Sequence, residues 1–168
     1  MLQTKPALLG LMLLSAFCQA VPGGYVALGD GYSSGFGSGN YDLDPGPCHR
    51  SSLAFPALWA KSHNQTSFSF AACNGASIED VATLQLGNVS ADTAIISLTI
   101  GADNVGLTGA LSACAGGTED SCRDQTNTAK GYISAELPGR LDALYNATRT
   151  KAPQAKIVVL GYPWLLNH

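Results

Sequence analysis

Three apolar runs in this chain each end in a polar, glycine-containing motif, and that repetition constrains the fold more than any other feature. Tyr25 to Leu28 leads into Gly29-Asp30-Gly31, Ser67 to Ala72 into Cys73-Asn74-Gly75-Ala76, and Ala94 to Ile100 into Gly101-Ala102-Asp103-Asn104; a fourth run covers Lys156 to Leu160. Amphipathic segments lie between them, the order expected of a parallel sheet with helices on both faces. Ser51 to Ser62 places Leu53, Leu58 and Trp59 on a helical stripe. Ala129 to Thr150 spaces Ile133, Leu137, Leu141 and Leu144 by three and four, with Pro138 predicting a kink or break inside it. Gly31 to Pro47 and Thr108 to Asn127 read as surface connections, and no repeat or linker divides the chain. In an open parallel sheet, ligands bind beyond the carboxyl ends of the strands where strand order reverses. The three motifs are therefore expected to converge on one edge.

The chain has 168 residues, 46% hydrophobic and 12% charged, which suits one globular domain with a substantial core. A net charge of −3 and the lack of any basic run argue against a nucleic-acid partner. Lys5, the apolar run Ala7 to Phe17 and the small-residue site Cys18-Gln-Ala20 form a secretory leader, so residues 1–20 are predicted to be removed and the domain to occupy 21–168. That run is too short to span a bilayer, which calls for roughly 18 apolar residues or more. The expectation is a secreted, extracellular protein without stable membrane insertion.

Without Cys18 the chain keeps Cys48, Cys73, Cys114 and Cys122, an even set suited to disulfides in an oxidising compartment and compatible with three pairings. A zinc site is the other reading of four cysteines, but no Cys-x-x-Cys pair exists and His49 stands alone beside Cys48, so no metal is expected. Asn64, Asn88 and Asn146 head N-glycosylation tripeptides and are expected at the surface.

Gly29-Asp30-Gly31-Tyr32-Ser33-Ser34-Gly35 resembles the first signature block of SGNH (GDSL-type) esterases and lipases, Gly-Asp-Ser-Tyr-Ser-Ser-Gly, with Gly31 where the family carries its nucleophilic serine. Cys48-His49-Arg50-Ser51, Phe55-Pro56-Ala57-Leu58-Trp59-Ala60 and Phe70-Ala71-Ala72-Cys73-Asn74-Gly75-Ala76 extend the resemblance, which runs from Gly24 to about Pro163. It implies a three-layer α/β/α fold with a parallel sheet in flavodoxin-like order, ester chemistry without a cofactor, and a small-molecule ester, lipid or acetylated glycan as substrate of a monomer. It also implies the pairs Cys48 with Cys73 and Cys114 with Cys122, worth about 3.5 and 2.5 kcal/mol by the loop-entropy relation.

In that family the serine attacks the ester carbonyl, while a second-block glycine N–H and a third-block asparagine amide stabilise the oxyanion. A later Asp-x-x-His supplies the base and its orienting carboxylate. Gly75 matches the second-block glycine, with Asn74 in place of the more usual serine beside it. The third block, Gly-x-Asn-Asp in the family, stands here as Gly101-Ala102-Asp103-Asn104, with amide and carboxylate exchanged. Asp103 would bring an acceptor where a donor is wanted, unless Asn104 reaches the hole through a shifted turn. Loss of one such donor costs about 2.7 to 4 kcal/mol in the transition state, and loss of the serine on the order of a millionfold in turnover.

The sequence ends at His168 before an Asp-x-x-His, with Leu165 three residues earlier, so the resemblance implies a domain incomplete at its C-terminus. His49 and His63 read as surface or capping residues. Gly31-Tyr32-Ser33-Ser34-Gly35 also spells the Gly-x-Ser-x-Gly elbow of α/β-hydrolases, but that elbow belongs on a central strand preceded by others. Ser33 and Ser34 are expected instead to cap the helix after the turn. A dinucleotide loop at Gly29-x-Gly31 would call for an acidic residue closing the second strand, where Cys73-Asn74 stands. Asp30 reads as structural support that accepts backbone N–H bonds, and Phe55, Leu58 and Trp59 as core. The function expected is that of a secreted carboxylic ester hydrolase family member with negligible hydrolysis. A non-catalytic protein binding an acyl or glycan ligand in the old cleft is the second reading, and a fragment with an uncovered sheet edge the third.

Overall fold

The computed structural model describes residues 23–41, 46–65 and 67–163. The leader and its cleavage site, Leu165 and His168 lie outside them.

Four strands, β1 (Gly24–Gly29), β2 (Phe68–Phe70), β3 (Thr93–Thr99) and β4 (Lys156–Val159), form one sheet in the order β2-β1-β3-β4, every pair parallel. This is the flavodoxin-like order, with its reversal between β1 and β3. Each expected strand is present; β2 is shorter than the predicted Ser67 to Ala72 because pairing ends at Ala27↔Phe70, after which Ala71 and Ala72 both donate to the Ala27 carbonyl.

The helices are α1 (Gly31–Ser34), α2 (Phe55–Ser62), α3 (Ile78–Asp80), α4 (Leu107–Gly116), α5 (Glu119–Ala135) and α6 (Leu137–Lys151). Strand periodicity sorts the core into two faces. Val26, Leu28, Ile96 and Leu98 point to the side where Ile78, Val81, Leu86, Leu144 and Ala152 pack. Each fully buried side chain of this size contributes about 1.5–3 kcal/mol. Tyr25 and Ala27 face the other side, against Ala60 and the half-buried Trp59 of α2. The first crossover thus runs over one face and the later ones over the other.

Pro138 does more than kink the long predicted helix. It sits in the first turn of α6, and Glu136 separates α5 from α6. Leu137, Leu141 and Leu144 then pack on the sheet as a stripe of α6, whereas Ile133, on α5, is 46% exposed.

The predicted surface connection Thr108 to Asn127 is instead a helical hairpin of α4 and α5, tied by Cys114–Cys122. No residue of either helix is buried, so the apolar stripe that reveals a core-facing helix is missing. The other disulfide joins Cys48 to Cys73. Residues 78–88 also form helix: α3 continues into a π-helical turn, Val81–Gln85, and a 3₁₀ turn, Leu86–Asn88. Leu58 and Leu53 are 48% and 46% exposed rather than core. Asn64, Asn88 and Asn146 are all exposed.

Candidate functional site

The first strand ends in backbone that only glycine tolerates. Gly29 has φ +124°, and a Cβ there would lie 2.2 Å from the Thr99 carbonyl oxygen of the neighbouring strand. Its peptide is gripped by Gln85, whose Oε1 accepts from Gly29 N at 2.7 Å and whose Nε2 donates to Gly29 O at 2.9 Å. The π-helical turn thus delivers an amide side chain that finishes the hydrogen bonding of β1.

Asp30 follows, only 1% exposed. Its Oδ1 accepts from Tyr32 N at 3.1 Å and from the Thr99 hydroxyl at 2.8 Å, and its Oδ2 accepts from the Tyr162 hydroxyl. Burial pushes the carboxyl above the usual aspartate range, against the pull of those donors. The Tyr162 phenol is pushed up by burial and then by its bond to Asp30, and its oxygen accepts from Ala102 N at 3.1 Å. One phenol therefore links the loops after β1, β3 and β4.

Asp30 is the N-cap of α1. Ser33 and Ser34, expected as caps, lie inside that single turn, buried. Because Thr99 spends its proton on Asp30, Ser33 donates to Thr99 Oγ1 at 2.8 Å. Ser33 is fully buried, out of reach of a substrate in the cleft. Cys73 N donates to the Gly29 carbonyl, and Asn74 N donates to the Cys48 carbonyl, beside the disulfide that anchors the second loop.

These loops surround a cleft of about 260 Å³ beyond the carboxyl ends of β1 and β3. Asp30, Gly31, Tyr32, Phe36, Asn74 and Asp103 line it, with Leu107 and Leu111 of α4 on the far wall. Gly31 opens onto it with no side chain. A Cβ there would meet Asn74 Oδ1 at 2.8 Å, so the end of the asparagine side chain lies in the space beside the bare backbone. Asp103 is exposed at the rim, its carboxyl raised by desolvation and by the negative charges of Asp30 and Asp80.

The other candidate residues lie elsewhere. Gly75, at φ +78°, lines a neighbouring cavity of about 460 Å³ that shares Asn74 with the first. Asn104 turns away from the cleft: its Oδ1 accepts from Ile78 N at 2.9 Å and its Nδ2 donates to Glu79 Oε2 at 3.0 Å. Arg140 completes that cluster on Glu79 Oε1 at 2.5 Å. An aspartate at 104 could hold Ile78 N but would repel Glu79, which gives the exchanged amide a structural reason.

Neither described histidine lines the cleft. His49, at φ +47°, sets its ring against Phe36 and Tyr41. His63 ends α2, stacked on Trp59 with ring centroids 4.2 Å apart. Among the described residues there is no cluster of three or more metal-ligating side chains, and no helix long and apolar enough to cross a membrane. Thr99, Gln85 and Tyr162 were missed by sequence reasoning. Tyr162 had a signal, since Gly161-Tyr162 follows the fourth strand as the other motifs follow theirs; Gln85 had none.

Residues 27–167 match the model of the GDSL-like lipase/acylhydrolase family. The chain belongs to this family. It is similar to Lipase 1 of Streptomyces coelicolor, 44% identical over 157 residues, covering 94% of this chain and 59% of that one. A lipase of Streptomyces rimosus is 46% identical over 139 residues, covering 83% and 52%. Among solved structures, phospholipase A1 of Streptomyces albidoflavus superposes with a TM-score of 0.83 at 47% identity, covering 88% of this chain and 63% of that one. The extracellular lipase of Streptomyces rimosus gives 0.82 at 44%, covering 87% and 63%. The chain thus spans only 52% to 63% of the length of these family members.

Proposed function

We propose that this GDSL-family domain is a secreted ester-hydrolase scaffold whose cleft does not turn over esters, its catalytic relatives acting on lipid or other small ester substrates. Residues 1–20 serve as the leader and 21–168 as the domain, a monomer needing no metal or cofactor. The two disulfides and the extracellular relative support an exported protein. Asn64, Asn88 and Asn146 are open to glycosylation.

One observation carries the proposal: residue 31, at the base of the cleft, is glycine and offers no nucleophilic side chain. Two others support it. Asp103 stands where an oxyanion donor is wanted, and its negative charge would raise the energy of a tetrahedral oxyanion. Asn104, which could donate an amide N–H, is committed to Glu79.

The test is hydrolysis of p-nitrophenyl butyrate by the purified chain. The expected rate is indistinguishable from buffer, and saturable turnover would refute the proposal. Combining Gly31→Ser with Asp103→Asn and labelling with a fluorophosphonate then asks whether the cleft can still activate a serine. Labelling at position 31 would place the loss of activity in those two residues alone, and its absence would place it in the base as well.

A further inference from the structure

The cleft beside Gly31 is lined by acidic, aromatic and apolar residues. Among the described residues, no lysine, arginine or histidine lines it. Asp30 contributes a buried negative charge, but three donors already engage its two oxygens, so it acts on a ligand through its field rather than by contact. Asp103 differs: among the described residues its carboxylate has no hydrogen-bond or ion-pair partner, and it faces the same space. Tyr32 and Phe36 line the same cleft as exposed aromatic rings, 38% and 59% accessible, each set edge-on against one other ring, Tyr162 and His49. Leu107 and Leu111 supply an apolar wall.

We propose that this cleft binds an amphiphilic organic cation, an alkylammonium whose charged head is held by Asp103 and the rings of Tyr32 and Phe36 and whose hydrocarbon part lies on Leu107 and Leu111. The proposal rests on the reading of the cleft as a non-hydrolytic binding site. The chemistry selects this class over its neighbours. A divalent metal needs several oxygen ligands at short range, and only one carboxylate here is uncommitted. A carboxylate or phosphate ligand would meet two negative charges and no cation. An alkylammonium needs one countercharge and aromatic faces, whose negative quadrupole attracts a weakly hydrated cation, and its chain needs an apolar wall. The carbonyl oxygen of Asn74, in the space a Cβ on residue 31 would approach, adds a further negative pole. The same departures that remove ester turnover thus produce a cation site.

Isothermal titration of the full chain with hexyltrimethylammonium, below its micellar range, tests this directly, with hexanoate and 1-hexanol as the anionic and neutral counterparts. The expected order is the ammonium tightest, the alcohol at least tenfold weaker, and hexanoate without measurable binding. Asp103→Asn should weaken the ammonium at least tenfold and leave the alcohol unchanged; Phe36→Ala should weaken it several-fold. If Asp103→Asn does not fold, salt provides the second measurement. Affinity of the unmodified chain for the ammonium should fall between about 0.01 and 0.15 M salt as the Debye length shortens, while that for hexanol holds. Hexanoate or hexanol binding as tightly as the ammonium, or an ammonium affinity indifferent to both Asp103→Asn and salt, would overturn the proposal. Ester turnover by the unmodified chain would fail the non-hydrolytic reading separately, since it is read in a different assay.

Discussion

The loop after β1 and the loop after β3 face each other across the cleft, yet they are built differently. In the first, the side chains that hold the turn are engaged: Gln85 holds Gly29, Asp30 takes three donors, and Ser33 donates to Thr99. In the second, Asn104 is equally committed, to Ile78 N and Glu79, while the adjacent Asp103 at the rim has a carboxylate with no hydrogen-bond or ion-pair partner among the described residues. What the family resemblance marks as catalytic and what holds the loops in place are therefore different residues. Positions 31 and 103 can differ from the family pattern without changing the shape of these loops, because Gly31 has no side chain and, among the described residues, the Asp103 carboxylate makes no hydrogen bond.

The sharpest way to break this comparison is Asp30→Ala. It strands the Thr99 and Tyr162 hydroxyls and uncaps α1, so a loss of about 3 kcal/mol is expected in urea unfolding, with Asp30→Asn retaining most of it. A loss below about 1 kcal/mol would mean that water replaces the carboxylate and that the first loop is not held as described.

Gln85→Ala comes next. Removing the amide leaves Gly29 N–H buried without a partner, at about 2 kcal/mol. Hydrogen exchange at Gly29 should accelerate well beyond that at Leu28 or Ile96; uniform acceleration across the sheet would instead make Gln85 a general core residue.

Asn104→Ala should cost about 1 kcal/mol by freeing Ile78 N and Glu79. Gly31→Ser should shift stability by less than about 1 kcal/mol, because a helical glycine gains from a side chain while the flexible end of Asn74 must swing aside. If Gly31→Ser unfolds the domain, Asn74 is locked rather than displaceable.

The smallest effect concerns pH. Asp103 has a raised carboxyl pKa, so between the ordinary aspartate value and the raised one the folded state binds more protons than the unfolded state. Stability from this group therefore falls as pH rises through that window and returns on acidification. Asp30 shifts in the same direction, while Glu79 and Asp80, lowered by their hydrogen bonds, lose stability as pH falls. The stability of the unmodified chain minus that of Asp103→Asn should accordingly increase as pH drops from 7 toward about 4. The opposite slope would show Asp103 paired with a cation in solution.

The four strands and the parallel sheet were legible in the sequence, while the sheet order and both disulfide pairs came with the family resemblance. Apolar runs report the strands, of which β1 and β3 are the most buried, and a short block around Gly29 to Gly35 carries enough unusual residues to place the chain among its relatives. Glycine at position 31 and the order Asp103-Asn104 were equally visible, as departures from the pattern that the resemblance implies. The helical hairpin of α4 and α5 was not, because it buries no apolar stripe and is clipped instead by Cys114–Cys122. Nor was the burial of Ser33 and Ser34, since a serine that caps a helix and one that lies inside it look alike in sequence.

What only the tertiary structure decided is which way the loop side chains point. Gln85 reaches Gly29 across 56 residues, Tyr162 reaches Asp30 across 132, and Asn104 turns from the cleft toward Glu79. Local pattern sets whether a segment becomes strand or helix, because backbone hydrogen bonds and side-chain periodicity act within a few residues. The partner of a loop amide or carboxylate is set by what the folded chain brings opposite it, and that is where Asp103 was left free while Asn104 was not.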